Sequence, residues 1–399
     1  MESAAKEDFA CKNNIAVLLV DDQPIIAEAV RNMLSDQPDI EFHFCDSPTR
    51  ALDMANKTRP TVILQDLVMP DVDGLTLVKF FRANPKTKDV PLIVLSSKEE
   101  PDIKYRAFEN GANDYMVKFP DKLEVVARIR YHSKAYTTMC ERNTALQKLQ
   151  ESQAALKREL DEAEHYVKSL LPEKLDERDF STDWVFKSST ELGGDCFGYG
   201  WIDKDNFAMY LLDVCGHGVG AALLSVSAMN VLRSQSLAGV NFRNPAEVLA
   251  GLNTAFDMEK QNQMYFTLWY GVYSPSKKLI SYASGGHPPA ILATSDGSYK
   301  KLMTKGMVIG GMPGVKFPKD EIDVPDGAKL YVFSDGVYEV RWADGSGMMS
   351  VDDFAKALAL PAPKGVSKVD SMVDFSREAQ KSDTFEDDFS LFEVAFKRS

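Results

Sequence analysis

Short apolar runs and amphipathic stretches alternate over the first third of the chain. The runs are Ile15–Val20, Ile40–Phe44, Thr61–Leu64, Leu92–Leu95 and Asp114–Val117. Between them, stretches such as Ile25–Leu34 and Gly74–Phe81 carry apolar residues at helical spacing. Strand followed by helix, five times over, predicts a doubly wound α/β domain whose five-stranded parallel sheet is covered on both faces. Sheets of this kind hold their ligands at the carboxyl ends of the strands.

The pattern changes between Thr138 and Leu171. Glu, Lys, Gln, Ala and Leu dominate, and neither Gly nor Pro occurs. One stripe runs Leu146, Leu149, Gln153, Leu156, Leu160, Ala163, Val167, Leu170, with spacings that alternate three and four. That is a heptad seam, and a lone helix would leave it exposed. A dimeric coiled-coil linker is the expectation; a helix packed on its own domain is the alternative. Pro172 ends the stretch. From Glu173 onward, strand-like runs and glycine turns prevail: Phe207–Val214, Phe266–Ser274, Leu279–Ala283, Lys329–Phe333 and Phe389–Phe396. A clear helix follows Gly218, and Pro361-Ala-Pro363 marks a late loop. The reading is an α+β domain with mostly antiparallel sheets.

Composition narrows the functional classes. A chain of 399 residues fits two or three domains, and 44% hydrophobic residues are enough to bury cores. Lys and Arg number 46 against 59 Asp and Glu, a net charge of −13, which argues against nucleic-acid or membrane-surface binding through a general basic field. No apolar run approaches the roughly 18 residues of a membrane span. The opening MESAAKEDFACKNN has no apolar signal core. Cys11, Cys45, Cys140, Cys196 and Cys215 are odd in number and scattered, as reduced cytoplasmic thiols would be.

Chemistry-bearing residues gather at predicted strand ends. The first strand runs into Asp21-Asp22, the third into Asp66, the fourth into Ser96-Ser97 and the fifth into Lys118. Taken singly, a strand-ending Asp is often only a turn or helix cap. Three converging carboxylates call for a hard cation such as Mg²⁺, and a carboxylate beside Mg²⁺ and Lys is equipped to accept a phosphoryl group. From Asn14 to Tyr136 the chain resembles the response-regulator receiver domain of two-component signalling. The resemblance implies Asp66 as phosphoacceptor, Asp21 and Asp22 with Asp66 as Mg²⁺ ligands, Ser96 as switch hydroxyl, Lys118 as phosphate-binding lysine and Tyr115 as switch aromatic. It also implies a sensor histidine kinase as partner. Where the family has Lys followed by Pro, this sequence has Lys118-Phe119-Pro120.

The same logic returns after Pro172. Asp213 ends the Phe207 strand, Asp335-Gly336 follows the Lys329 strand, Leu192-Gly193-Gly194 precedes Asp195, and Asp387-Asp388 precedes the last strand. Alone, Asp335-Gly336 reads as a hairpin turn. Four carboxylates at one sheet edge would suit two divalent ions and phosphate-ester hydrolysis, and the scarcity of histidine favours Mg²⁺ or Mn²⁺ over zinc. The ordered set ELGGD, LLDVCGHGVGAALL, YASGGHPPAIL, VFSDGVYEV and EDDFSLF resembles the metal-dependent serine/threonine phosphatases (PPM type) of the bacterial SpoIIE-type branch, over Leu170 to Phe396. That resemblance implies an αββα sandwich. It implies Asp195, Asp213, Asp335 and Asp387 as ligands of two Mn²⁺ or Mg²⁺, joined by the backbone carbonyl of Val214. His217 is open to either a general-acid role or a structural one at the helix start. His287 orders a turn, and Asp388 is either supporting or solvent-facing.

The expected organisation is a flexible tail (1–14), a receiver domain (15–136), a coiled-coil linker helix (137–172) and a phosphatase domain (173–399). The expected function is a cytoplasmic, homodimeric response regulator whose output dephosphorylates a phosphoserine or phosphothreonine protein. By resemblance that substrate is a STAS-type anti-sigma-factor antagonist, and phosphorylation of Asp66 controls its turnover. The rival is a non-catalytic adaptor on a phosphatase-like fold, which the loss of metal aspartates would betray. A transcription factor is disfavoured, because no helix-turn-helix or basic recognition stretch follows the receiver.

Overall fold

A computed structural model describes residues 14–70, 72–97, 100–189 and 192–398. The expected tail, Asn14 apart, lies outside these residues, as do Cys11 and the Glu191 of ELGGD. The chain divides into two compact units between Ala154 and Ala155.

The first unit alternates strand and helix. Its elements are β1 (Ile15–Val20), α1 (Pro24–Leu34), β2 (Ile40–Cys45), α2 (Ala51–Thr58), β3 (Val62–Asp66), α3 (Gly74–Ala83), β4 (Leu92–Ser96), α4 (Pro101–Glu109), β5 (Asp114–Val117) and the start of α5 (Lys122–Ser169). The sheet is parallel in the order β2-β1-β3-β4-β5. Its strands are almost continuously apolar because both faces are covered. Val17 and Leu19 pack with residues of α1 and α5, while Leu18 and Val20 pack with residues of α2, α3 and α4. The strand order reverses between β1 and β3, so their carboxyl ends flank the ligand crevice of this topology.

The helix α5 crosses one expected boundary. The sequence reading ends a domain at 136 and starts a linker at 137, whereas the structure has one continuous helix of 48 residues. Val125, Ile129 and Ser133 are buried along its first turns. Nothing between Ser133 and Thr138 supplies a glycine cap or a proline stop, so the helix runs on. Its seam is exposed at Leu146, Leu149 and Leu156. Among the described residues no helix is long and apolar enough to cross a membrane.

The second unit contains β6 (Phe180–Lys187), β7 (Cys196–Asp203), β8 (Asn206–Val214), α6 (Val219–Arg233), α7 (Pro245–Ala255), β9 (Phe266–Ser274), β10 (Leu279–Gly285), β11 (Ala290–Ala293), β12 (Tyr299–Leu302), β13 (Asp320–Asp323), β14 (Lys329–Phe333), α8 (Val351–Ala359), α9 (Lys368–Gln380) and β15 (Phe389–Phe396). They form two antiparallel five-stranded sheets, β13-β10-β9-β8-β7 and β12-β11-β14-β15-β6. Alternation along the strands divides the core. Phe207, Met209, Leu211 and Trp269 of one sheet meet Leu292, Leu330, Val332 and Phe392 of the other. The opposite face of the first sheet, with Leu212, Val214 and Leu268, packs on α6 and α7. That of the second, with Tyr331, Phe333 and Leu391, packs on α8 and α9. Each such side chain removed from water contributes about 1.5–3 kcal/mol.

Candidate functional site

In the first unit the crevice gathers what the sequence puts at the strand ends. Asp21 and Asp22 follow β1, and Asp66 is the last residue of β3. Carboxylate oxygens of the three lie within 4.8 Å of one another. Lys118, just after β5, brings its Nζ to 2.9 Å from Asp21 and 2.8 Å from Asp66. All of this is nearly dry: Asp21 and Asp66 are buried and the lysine is almost so. Burial pushes the Asp21 carboxyl up, against the pull of Lys118. The Lys118 ammonium loses hydration, yet Asp66 and Asp21 outweigh that loss and hold its pKa above the ordinary lysine range. Asp22 Oδ1 is buried without a hydrogen-bond partner. An all-oxygen cluster with an orphaned carboxylate oxygen fits a hard divalent cation.

The remaining receiver positions are nearby in the fold. Ser96 ends β4 and is buried, and its carbonyl accepts the backbone N–H of Lys118 at 2.8 Å. Tyr115 is buried, with the Lys104 ammonium 5.8 Å from its ring centre. Phe119, inserted between Lys118 and Pro120, takes φ of 59° and is exposed. The following proline bars it from the right-handed helical region.

In the second unit, residue parity aims Asp195 and Asp213 between the sheets, while Asp335 and Asp387 sit in the turns at the edge of the facing sheet. Asp195 precedes β7 and is buried, and Asp213 lies one residue before the end of β8. Asp213 is two residues from Leu211, and Asp195 two from Phe197, both inter-sheet core residues. Asp335 follows β14 at the facing sheet, and Asp387-Asp388 lead into β15. The strongest influences on these groups are burial and each other. Asp195 is raised well above the carboxylate range by burial, then by the charges of Asp213 and Asp388. Asp213 is pushed up to about 8 by burial, then by Asp335, Asp387 and Asp388. Asp335 is pushed up to about 6 by burial, then by Glu339 and Asp387. Asp387 is exposed at its edge, and lost hydration still raises it, against the pull of the Asp388 backbone N–H that donates to it.

Among the described residues, no three of these carboxylates close to the spacing of the Asp21 cluster. Asp195 Oδ2 is nonetheless buried with no hydrogen-bond partner. Gly194 lies against the Val214 carbonyl, where an added Cβ would come within 2.7 Å of that oxygen. Oxygen donors, an orphaned carboxylate oxygen and a carbonyl kept open by glycine fit a divalent cation.

Asp388 is what sequence reasoning left unassigned. It is buried, accepts from the Ser189 backbone N–H at 2.9 Å and from Ser189 Oγ at 3.2 Å, and its Oδ2 accepts from the Asp195 backbone N–H at 3.3 Å. Ser334 Oγ donates to its carbonyl at 3.0 Å. Asp388 thus ties the Gly193-Gly194-Asp195 turn to the Ser334-Asp335 turn. An added Cβ at Gly193 would stand 1.7 Å from Asp388 Oδ2. Gly193→Ala is expected to displace that carboxylate at a cost of about 1–3 kcal/mol, the usual range for overpacking. Calorimetry should record this as a melting temperature lower by several degrees. His217 is exposed. His287 is buried, and burial lowers its imidazole to about 3, so it is neutral at ordinary pH.

Comparison with known proteins finds two separate matches along the chain. Residues 17–130 match the response regulator receiver domain, and residues 203–397 match Stage II sporulation protein E (SpoIIE). The phosphoserine phosphatase RsbP of Bacillus subtilis is 28% identical over 46% of this chain and 46% of its own length. The phosphoserine phosphatase RsbU of the same organism is 26% identical over 50% of this chain and 59% of its own length. The chain therefore spans about half the length of these curated relatives. The SiaA-PP2C domain of Pseudomonas aeruginosa superposes with a TM-score of 0.53 at 19% identity, over 62% of this chain and 99% of that one, a likeness of fold. The chain joins a response-regulator receiver domain to a phosphatase domain of the SpoIIE family.

Proposed function

We propose that this protein is a response regulator whose output is metal-dependent hydrolysis of a phosphoserine or phosphothreonine on another protein. The observation that carries the reading is the acidic edge of the second unit, where Asp213 is raised by burial and by the charges of Asp335, Asp387 and Asp388, Asp195 is buried with an orphaned carboxylate oxygen, and Gly194 leaves the Val214 carbonyl open. Asp195, Asp213, Asp335 and Asp387 with the Val214 carbonyl are the donors that would hold two Mn²⁺ or Mg²⁺. Bound there, such ions supply an acidified water as nucleophile toward phosphorus. Asp195 is buried and Asp213 half-buried, and Asp388 fixes the two turns that carry Asp195 and Asp335. The substrate favoured by the SpoIIE-type resemblance is a phosphorylated STAS-type anti-sigma-factor antagonist. The test is turnover of that phosphoprotein with Mn²⁺ and with chelator; full activity in chelator would sink the reading.

Control is assigned to the receiver. Asp66 accepts a phosphoryl group from a sensor histidine kinase, and Asp21, Asp22 and Asp66 hold the Mg²⁺ that this transfer requires. Lys118, already paired with Asp66 at 2.8 Å, neutralises the incoming oxygens. Incubation with acetyl phosphate and Mg²⁺ should add one phosphoryl group, read by intact mass, and Asp66→Ala should remove it entirely. Undiminished labelling in Asp66→Ala would mean that the acceptor lies elsewhere.

A further inference from the structure

A cavity of about 960 Å³ opens between the β11–β12 turn and the loop that joins α8 to α9. That volume is ordinary for a small-molecule site. Its floor belongs to β14 and β15. Lys329 and Glu393 are each two residues from a member of the core under α8 and α9, Tyr331 and Leu391, so they leave the sheet on that outer face. β14 carries Lys329 at one end and runs into Asp335 at the other, roughly 20 Å of strand away. The cavity is therefore separate from the acidic edge.

Two lysines enter it under different constraints. Lys329 Nζ lies 3.1 and 3.0 Å from the two carboxylate oxygens of Glu393, which is buried. Lys368, the first residue of α9, donates to the carbonyls of Ala357 and Leu360 at 2.6 and 2.7 Å. A lysine so placed is often only a cap on the preceding helix. A cap does not account for its third N–H, nor for its charge. The helix end offers about half an elementary charge, and among the described residues no carboxylate forms an ion pair with Lys368. Lost hydration and then the charge of Lys329 lower its pKa, against the pull of Glu393. Two half-buried ammoniums thus share one carboxylate. The other acids of the lining are already engaged: Asp183 pairs with Lys174 at 2.5 Å, and Asp296 accepts from Thr294 and Ser298 of its own turn. The wall beside Lys368 is apolar, and its Leu360 and Val366 are 65% and 41% exposed around Pro361.

We propose that this cavity binds a small organic acid, with its single anionic head between Lys368 and Lys329 and its hydrocarbon body along Leu360, Pro361 and Val366. The experiment uses the full chain in chelator, so that no metal draws anions to the two aspartate clusters. 8-Anilinonaphthalene-1-sulfonate, an anion on an apolar body, is bound and followed by fluorescence, and octanoate is added as competitor. Lys368→Met should weaken octanoate about 10-fold, the loss of one hydrogen bond to a charged group. Lys368→Arg, which keeps the charge, should bind octanoate more tightly than Lys368→Met does. Val366→Glu, at an exposed position, sets a like charge against the ligand and should weaken octanoate at least about 10-fold. Acetate, the head without the body, should compete at least about 100-fold less well than octanoate. Octanoate that displaces no dye, or displaces it equally from parent, Lys368→Met and Val366→Glu, overturns the proposal. Acetate or inorganic phosphate as potent as octanoate would make this a bare-anion site and overturns the assigned class. Should Lys368→Met fail to fold for want of its cap, parental octanoate affinity in Val366→Glu overturns the proposal equally.

Discussion

Replacing Asp213 by Asn is expected to abolish phosphate-ester hydrolysis while making the metal-free protein more stable. The loss of activity should exceed the roughly 10–100-fold typical of groups that only support a metal ligand. The gain in stability follows from the same geometry. Asp213 is held among Asp335, Asp387 and Asp388 in a poorly solvated layer, and its carboxyl is pushed up to about 8. An ionised carboxylate there is short of solvation and surrounded by like charge. Asparagine keeps the shape and removes the charge. A benefit on the order of 1–3 kcal/mol, the cost of an uncompensated buried group, corresponds to several degrees for a domain of this size.

The pH dependence has a definite sign. The folded-state pKa of Asp213 lies above its unfolded value of 3.8. Its stabilising, protonated form is fully present below about pH 4 and is lost as the pH rises toward about 8. The melting temperature of the parent should therefore fall relative to Asp213→Asn across that window. Mn²⁺ should reverse the order, because a ligand at 100 times its Kd stabilises by about 2.7 kcal/mol and only the parent retains the full donor set. Calorimetry of both proteins at pH 4, 6 and 8, with Mn²⁺ and with chelator, reads all of this. Equal melting temperatures at every pH would mean that Asp213 carries no buried charge.

Local pattern was enough to find the first unit. Its strands are short apolar runs with an acid, a hydroxyl or a lysine immediately after them, so both element and site residue were legible together. The second unit was legible in its long strands and in its aspartates. The helices α7, α8 and α9 went unread, although their signals are present: Asn244-Pro245 opens α7, and Ser350 with Asp353 forms a reciprocal cap on α8. These helices lie between glycine-rich turns, where a strand-dominated pattern masks a helical period. Asp388 stayed open between a supporting role and solvent for a different reason. Its parity with Phe392 and Val394 aims it between the sheets, and Phe389 and Leu391 point the other way. Both faces of β15 are apolar, so the sequence does not say which parity faces the partner sheet.

Loss of phosphorylation control, with hydrolysis retained, is the expected result of making the α5 seam polar at Leu156 and Leu160. The helix enters from the receiver, where Val125 and Ile129 are buried, and ends where Leu170 and Leu171 pack on the phosphatase core. Between these anchors Leu146, Leu149 and Leu156 are 50%, 54% and 59% exposed on a single chain. Apolar residues repeated at heptad spacing over more than three heptads have an obvious cover in the same helix of a second copy. Each leucine buried there would contribute about 1.5–3 kcal/mol. A phosphoryl group on Asp66 can change the distant output only through an element with two arrangements of different stability. A helix pair rooted in both units is such an element. Couplings of this kind span about 1–3 kcal/mol, or 5–150-fold in activity. In Leu156→Gln/Leu160→Gln that response should shrink to within about 2-fold. Light scattering should show the mass falling from dimer to monomer. Measuring turnover of a phosphoprotein substrate with and without acetyl phosphate, in parent and variant, tests both halves. A variant that stays dimeric and keeps the parental response would reduce the helix to a tether, and control would have to run through another surface of the receiver.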